Sequence, residues 1–190
     1  MDLSLVKKYA KENNVPIILD EGLALLKKTI ETYHVKDALE IGSAIGYSAL
    51  SMASFGVYVD TIERDPRMYK VAMQNIGTYD TEKRVRLIFA DAISYDGIDK
   101  TYDLIFIDAA KSKYHVFFDR YKKYLNKGGI IVCDNMNFHN LDRSKVTRRT
   151  RQLLEKLDTF KEELQKNKDF ETIFYNDGDG MSVSRLLWNY

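Results

Sequence analysis

The chain has 190 residues, of which 45% are hydrophobic and 30% are charged, and its formal net charge is +1. This balance excludes a strongly acidic or intrinsically disordered chain, and no apolar run reaches the ~20 residues that a membrane-spanning helix needs. The single cysteine, Cys133, lies in an apolar run and leaves no possibility of an internal disulfide. We therefore expect one domain over residues 1–190, located in the cytoplasm and without a membrane partner.

Residues 1–33 are predicted to form an N-terminal helical segment. Their first part lacks the apolar core of a signal peptide and is rich in lysine, with Lys7, Lys8 and Lys11 in a helix-like stretch. A helix is predicted over residues 20–33, with Asp20 as its N-cap and leucines on one face.

From residue 34 to residue 190 the pattern predicts a Rossmann-like core. Apolar strands are predicted at 38–42, 57–62, 85–89, 102–107 and 129–133. Helices are predicted between them, near 46–54, 66–76 and 113–124. Nearly continuous apolar strands separated by helices are typical of a parallel sheet that is covered on both faces, so we predict the α/β class.

The C-terminal part changes character. A long helix is predicted near 143–166, followed by strands at 170–175 and 181–186. The linking residues 176–180 read NDGDG, which is a strong signal for a β-hairpin. An antiparallel hairpin therefore closes the predicted sheet and brings it to seven strands.

The segment ALEIGSAIGYSAL, residues 38–50, predicts a strand, a glycine-containing loop and the first turn of a helix. Glycines let such a loop approach a ligand closely, and the helix N-terminus behind it attracts an anionic group. The spacing matches neither the dinucleotide fingerprint nor the phosphate loop. Glu63 closes the next strand, where a nucleoside cofactor would need a ribose-binding acid. Simple strand-to-helix packing also produces loops of this kind.

All five predicted parallel strands end in an acid or within two residues of one. These acids are Glu40, Glu63, Asp91 (followed by Ala92), Asp108 (followed by Lys111) and Asp134 (followed by Asn135). One such acid is often only a helix cap, but five on one edge of a sheet are better explained by a site for a polar ligand.

Asp108, Asp134 and Asn135 end two strands that we expect to be neighbours. Their oxygens favour a hard cation, Mg²⁺ or Ca²⁺, with Mn²⁺ as a further possibility. The histidines, His34, His115 and His139, lack the spacing of a zinc site.

The motifs LEIGSAIGYSAL, TIERD, FIDAAKSKYHVFFD, GGIIVCDNM and GDGMSVSRL resemble those of the cation-dependent O-methyltransferases typified by the caffeoyl-CoA and catechol enzymes. The resemblance covers about residues 15–187 and implies a Rossmann-like class I methyltransferase fold that binds S-adenosylmethionine. Within this family the chain is most similar to the bacterial tRNA 5-hydroxyuridine methyltransferase branch. Members usually carry a longer N-terminal segment that covers the substrate, and the resemblance also leads us to expect a homodimer.

The resemblance also implies residue roles. The methionine part of the cofactor would be held by Glu40, Gly42 and Ser48, and Ile18 would pack against it or contact it from the N-terminal segment. Glu63 would bind the ribose, and Asp91 and Ala92 would meet the adenine. Asp108, Asp134 and Asn135 would hold the cation, with Asp108 also close to the cofactor. Lys111 matches the lysine proposed as the general base of the catechol enzymes.

Three functions remain open at this stage. The first is methylation of the 5-hydroxyl of 5-hydroxyuridine at the tRNA wobble position, in the anticodon region. The second is methylation of a small catechol-like molecule, and the third is non-catalytic binding of S-adenosylmethionine. Five cations, Arg143, Lys145, Arg148, Arg149 and Arg151, oppose the dipole at the start of the last helix and favour RNA. Arg148 and Arg151 are predicted on its exposed face, although an ordinary solvated face gives the same pattern.

Overall fold

A computed structural model describes residues 1–137 and 145–187. Its seven-stranded sheet has the order β3-β2-β1-β4-β5-β7-β6. The strands are β1 Asp37–Ile41, β2 Tyr58–Glu63, β3 Val85–Phe89, β4 Tyr102–Ile107, β5 Leu125–Cys133, β6 Phe170–Tyr175 and β7 Met181–Leu186. The helices in these ranges are α1 Ser4–Glu12, α2 Asp20–Thr32, α3 Tyr47–Ser54, α4 Pro66–Tyr79, α5 Tyr114–Tyr121 and α6 Arg148–Lys166.

The strand pairing confirms a mostly parallel sheet with a C-terminal antiparallel hairpin. Strands β1 to β5 pair in parallel, whereas β7 pairs antiparallel with both β5 and β6. The carboxyl ends of β1 to β5 therefore lie on one edge of the sheet. The turn before β7 reaches the same edge, because Ser182 near the start of β7 pairs with Cys133 at the end of β5.

Successive side chains of the central strands point to opposite faces of the sheet, so the core has two layers. Leu104 and Phe106 of β4 pack on the face that α1, α2 and α3 cover, and Ile105 and Ile107 pack on the face that α5 and α6 cover. Full burial of each such side chain contributes about 1.5–3 kcal/mol to the hydrophobic stabilisation of the sheet. Helices on both faces are thus confirmed.

Two element boundaries near the site differ from the sequence prediction. Asp20 is the first residue of α2 and not its N-cap, because its carboxylate lies 2.6 Å from Nζ of Lys7 in α1. Strand β5 begins at Leu125, before the predicted start at residue 129, because it continues to pair with β4 across a register shift.

Helix α6 also differs in its core-facing side chains. It begins at Arg148 behind the N-cap Thr147, and the predicted start at residues 143–144 lies outside the described part of the chain. The buried side chains are Leu154, Leu157, Phe160 and Leu164. The helical period of the sequence predicts that Val146, Leu153, Leu157 and Leu164 face the core; this is confirmed for Leu157 and Leu164 and wrong for Val146 and Leu153, which are only half-buried. The apolar stripe passes through Leu154, one residue further along the helix.

Candidate active site

The loop between β1 and α3 is pressed against the end of β4. Gly42 has φ +98°, and a Cβ at this position would lie 2.3 Å from the carbonyl oxygen of Asp108. The loop is also tied to its other neighbour, since the backbone N–H of Gly42 donates to the carbonyl of Ile62 at 3.0 Å. Only glycine fits this left-handed, close-packed position without strain. The loop backbone is therefore fixed beside the polar groups that end β1, β2 and β4.

Glu40 is fully buried behind this loop and carries an unsatisfied oxygen. The hydroxyl of Thr61 donates to its Oε2, whereas its Oε1 has no hydrogen-bond partner among the described residues. Burial raises the pKa of Glu40 to about 7, hydrogen bonding from Ser48 and Thr61 opposes that rise, and the charges of Asp108 and Glu63 add to it. A buried acceptor without a donor suits a donating group of a bound ligand, such as an ammonium.

Glu63 lies at the end of β2, where the ribose-binding acid was predicted. Its Oε1 accepts from the backbone N–H groups of Arg64 at 2.8 Å and Asp65 at 2.7 Å, and its Oε2 accepts from that of Ala44 at 2.8 Å. The carboxylate therefore fixes the β1–α3 loop to the end of β2. Oε1 is thereby saturated, whereas Oε2 keeps one further acceptor site.

A cavity of about 440 Å³ opens in front of Glu63. Of the predicted cofactor residues, its lining includes Gly42, Glu63, Asp91, Ala92 and Asp108. Glu40 and Ser48 are buried behind the loop and do not line it. The lining also includes Arg149, which the sequence analysis did not distinguish from the other basic residues of this helix. Arg148 and Arg151 are exposed, as predicted, and line neither this cavity nor the larger one described below.

A second cavity, of about 920 Å³, adjoins the first, and the two share Ala44, Asp108 and Ala109. Its lining brings together the other predicted site residues: Ile18, Asp108, Lys111, Asp134 and Asn135. Because Asp108 lies on both walls, a molecule in one cavity would lie next to a molecule in the other. This arrangement suits two reactants that exchange a small group.

The polar wall of the larger cavity is closely linked. Nζ of Lys111 donates to Oδ1 of Asn135 at 2.6 Å, and Nδ2 of Asn135 lies 3.4 Å from Oδ2 of Asp134. Asn135 has φ 53°, a left-handed conformation that asparagine tolerates better than most residues. The hydroxyl of Tyr114 donates to the carbonyl of Asp134 at 2.9 Å and holds this strand end in place.

Burial and mutual repulsion perturb the two acids of this wall. Burial raises the pKa of Asp134 to about 7, and the charge of Asp108 adds to that rise, while the backbone of Asn135 and the charge of Lys111 oppose it. The pKa of Asp108 is likewise raised by burial and lowered in part by Lys111. Two crowded carboxylates are stabilised by any cation placed between them.

The sequence reasoning missed Asp179, which also lines this cavity. Its Oδ2 lies 3.5 Å from Nδ2 of Asn135, and its charge contributes to the raised pKa of Asp134. The NDGDG segment had been interpreted only as a turn. The pairing of β7 with β5 is the feature that places this turn at the site.

The oxygen atoms available to bind a metal ion are of the kind that a hard cation prefers, but they are few. Within residues 1–137 and 145–187 there is no group of three or more His, Cys, Asp or Glu side chains placed to hold a metal ion. The available oxygens are those of Asp108 and Asp134 together with the amide of Asn135. His139 lies outside the described residues.

No described helix is long and apolar enough to cross a membrane.

Comparison with known proteins identifies the family. The model of the O-methyltransferase family matches residues 3–187 of the chain. The chain belongs to the O-methyltransferase family. It is an S-adenosylmethionine-dependent O-methyltransferase of the caffeoyl-CoA type, and the seven-stranded sheet is that of a class I methyltransferase.

Three relatives illustrate the similarity of this O-methyltransferase to known members. A crystal structure from Staphylococcus aureus, provisionally named a caffeoyl-CoA O-methyltransferase, has a TM-score of 0.92 at 37% identity and covers 98% of this chain and 92% of its own. The caffeoyl-CoA O-methyltransferase of Populus kitakamiensis is 26% identical over 95% of this chain and 82% of its own length. The flavonoid 3',5'-methyltransferase of Vitis vinifera is 29% identical over the same two shares.

Proposed function

We propose that this O-methyltransferase methylates a hydroxyl that has a second oxygen beside it, with the help of a divalent cation. The observation that carries the proposal is the shared wall of the two cavities. Asp108 borders both the cavity in front of Glu63 and the cavity that contains Asp134, Asn135 and Lys111. A methyl donor in the first cavity would thus lie next to an acceptor in the second.

The residues around the smaller cavity suit the parts of S-adenosylmethionine, the donor of an activated methyl group. Glu40 would offer a buried acceptor to the methionine ammonium, Gly42 would let the backbone approach, and Glu63 would offer Oε2 to the ribose hydroxyls. Asp91 and Ala92 would border the adenine. Ser48, which lowers the pKa of Glu40, would act on the cofactor only indirectly.

Asp108, Asp134 and Asn135 would hold the cation, for which Mg²⁺ is the first choice and Mn²⁺ or Ca²⁺ the alternatives. A bound divalent cation lowers the pKa of a hydroxyl that it contacts and fixes the direction of attack. Burial raises the pKa of both Asp108 and Asp134, and the charge of Asp108 adds to the rise at Asp134, so a cation bound between them would stabilise their charged forms. Nζ of Lys111 donates a hydrogen bond to the amide oxygen of Asn135, so the lysine would have to move for this oxygen to bind a cation.

Lys111 is the residue best placed to handle the proton of the acceptor hydroxyl. Its Nζ projects into the wall of the larger cavity, 2.6 Å from Asn135 Oδ1. As a neutral amine it would accept the proton, and as an ammonium it would stabilise the oxygen that attacks the methyl group. In both cases the methyl group moves from sulfur to oxygen in one in-line displacement.

For the acceptor we propose 5-hydroxyuridine at the wobble position of tRNA. Its 5-hydroxyl lies next to the C4 carbonyl oxygen, which gives the adjacent pair of oxygens that the site requires. Cations line both cavities: three lysines of α1 on the larger one, and Arg64, Lys113 and Arg149 on the smaller one. Such a distribution favours a polyanion over a neutral acceptor.

A small catechol-like molecule is the second candidate, because the plant relatives are named for caffeoyl-CoA and flavonoid substrates. Catechols present the same adjacent oxygens. Non-catalytic binding of S-adenosylmethionine is the weakest candidate, since Lys111 and the oxygen set are all in place. We also propose a cytoplasmic homodimer, which light scattering on the purified protein would check.

The deciding experiment offers both acceptors in parallel. The protein is incubated with methyl-labelled S-adenosylmethionine and Mg²⁺, together with either tRNA that contains 5-hydroxyuridine or a free catechol, with and without excess chelator. We expect labelled tRNA, and no label when chelator is present. Label on the catechol alone would favour the second candidate, and binding without transfer to any acceptor would favour the third.

A further inference from the structure

Helix α1 forms one wall of the larger cavity and presents lysines to it. Val6 and Ala10 are buried, and the helix contributes Ser4, Lys7, Lys8, Ala10 and Lys11 to the cavity lining. Helix formation alone does not require three lysines on one cavity wall. Lys8 has only a loose ion pair, 3.8 Å from Glu12, with both side chains mostly exposed.

The larger cavity is divided by charge. The acids Asp108, Asp134 and Asp179 lie at the ends of β4 and β5 and in the hairpin, together with Lys111, and the other three lysines lie on α1, where Asp20 pairs with Lys7. The lining also includes the apolar residues 15–19, among which Ile18 is buried. An acceptor that fills this cavity would place its reacting oxygens at the acids, a flat ring on the apolar residues, and an anionic group at α1.

Lys7 shows that this wall is held in a fixed position. Its Nζ lies 2.6 Å from Oδ1 of Asp20, which ties α1 to the start of α2, and this contact raises the pKa of Lys7. Lys8 and Lys11 continue the same wall and are exposed. The Lys7–Asp20 ion pair links α1 to α2, and the exposed Lys8 and Lys11 of the same helix are accessible to an anionic group of the acceptor.

We propose that Lys8 and Lys11 of α1 form a phosphate-binding subsite for the acceptor, on the wall that α1 contributes to the larger cavity. This proposal rests on the proposed function, because it names the chemistry of the acceptor at the same site: a hydroxylated ring that carries a phosphate ester. The phosphate could belong to an RNA strand or to a free nucleotide, and both offer the same group to the lysines.

The test compares two double variants that remove the same charge. Lys8→Ala/Lys11→Ala removes the subsite, and Lys166→Ala/Lys168→Ala removes two exposed lysines that line neither cavity. The control matches well, because Lys166 also has an exposed i,i+4 ion pair, with Glu162 at 3.2 Å. A third variant, Lys8→Arg/Lys11→Arg, keeps the charge. Melting temperatures of all variants are recorded first, and we expect them to be unchanged.

Binding is measured by fluorescence anisotropy with a labelled anticodon stem-loop that contains 5-hydroxyuridine, over a series of salt concentrations. We expect the alanine variant to raise Kd about tenfold or more at low salt. It should also reduce the slope of log Kd against log salt by up to about 1.5, near 0.7 for each phosphate that the variant no longer binds. The control and the arginine variant should bind like the unmodified protein. A separate competition with 5-hydroxyuridine 5'-monophosphate and with the nucleoside distinguishes a free nucleotide from an RNA strand.

The outcomes separate this proposal from the proposed function. Equal binding by the alanine variant and the unmodified protein, an equal loss in the control, or no binding of either phosphate probe would overturn the subsite. A selective loss of binding without methyl transfer to any acceptor would support the subsite and refute the proposed acceptor. Methyl transfer to tRNA with unchanged binding in the alanine variant would do the opposite.

Discussion

Replacement of Glu63 by alanine should weaken both the fold and cofactor binding, and the two effects can be measured separately. Glu63 accepts three backbone N–H groups, those of Ala44, Arg64 and Asp65, at 2.7–2.8 Å. A hydrogen bond to a charged group contributes about 1.5–3 kcal/mol, but the freed N–H groups of the exposed Arg64 and half-buried Asp65 can bind water instead. We therefore expect a loss of about 2–4 kcal/mol in the free energy of unfolding.

The same carboxylate faces the cavity proposed for the ribose. Loss of its contact with the ribose hydroxyls should cost about 1.5–3 kcal/mol of binding free energy, or roughly a 10- to 150-fold rise in Kd. Calorimetric titration with S-adenosylhomocysteine measures the Kd, and urea unfolding without ligand measures the stability. Glu63→Gln should give smaller changes in both, because it keeps one carbonyl oxygen.

Glu171→Ala provides the matched control, because it removes an exposed carboxylate from the edge strand β6. It should leave both measurements within error of the unmodified protein. If Glu63→Ala unfolds at the same urea concentration as the unmodified protein, the three N–H contacts do not stabilise the loop. If it remains folded and binds S-adenosylhomocysteine with unchanged Kd, Glu63 does not contact the ribose.

Further predictions concern the remaining parts of the site. Asp134→Ala should lower kcat far more than it lowers cofactor affinity. In the unmodified protein, burial raises the pKa of Asp134 to about 7, so Mg²⁺ should bind more weakly below pH 7 and should release more protons as it binds, which calorimetry in two buffers would show. Burial raises the pKa of Glu40 to about 7 in the folded protein, above the ordinary value of 4.5. The free energy of unfolding should therefore fall as the pH rises from 4.5 to 7, by at most about 1.4 kcal/mol per pH unit, and Glu40→Gln should flatten this slope in urea titrations. Gly42→Ala should destabilise the fold by more than about 2 kcal/mol, since its Cβ would meet the Asp108 carbonyl, and an unchanged melting temperature would contradict this. Arg148→Ala/Arg151→Ala should weaken tRNA binding and reduce its salt dependence, with stability changed by less than about 0.5 kcal/mol, and an equal salt slope would make this face an ordinary solvated surface.

The sequence predicted the acid-bearing strand ends because local patterns decide them. Apolar runs in β1, β2 and β4 specify buried strands, and the polar residue that follows each run must lie where the strand leaves the core. Since parallel strands share one carboxyl edge, Glu63 and Asp108 were expected near each other before any distance was known. The boundary at Asp20 was wrong for a reason of the opposite kind: its carboxylate binds Lys7 from another helix, which no local pattern shows.

By itself, the sequence determined the alternating strands and helices, the hairpin and the line of acids, all of which follow from short-range periodicity and turn chemistry. Only the tertiary structure decided which distant residues join them. Asp179 reaches the site because β7 runs antiparallel to β5, and Lys8 and Lys11 reach it because α1 packs across the cavity. Arg149, rather than Arg148 or Arg151, borders the smaller cavity because burial of Leu154 and Leu157 sets the rotation of α6. These contacts depend on the path of the chain through the core, and the energy that fixes that path is spread over packing interactions far from each residue in sequence.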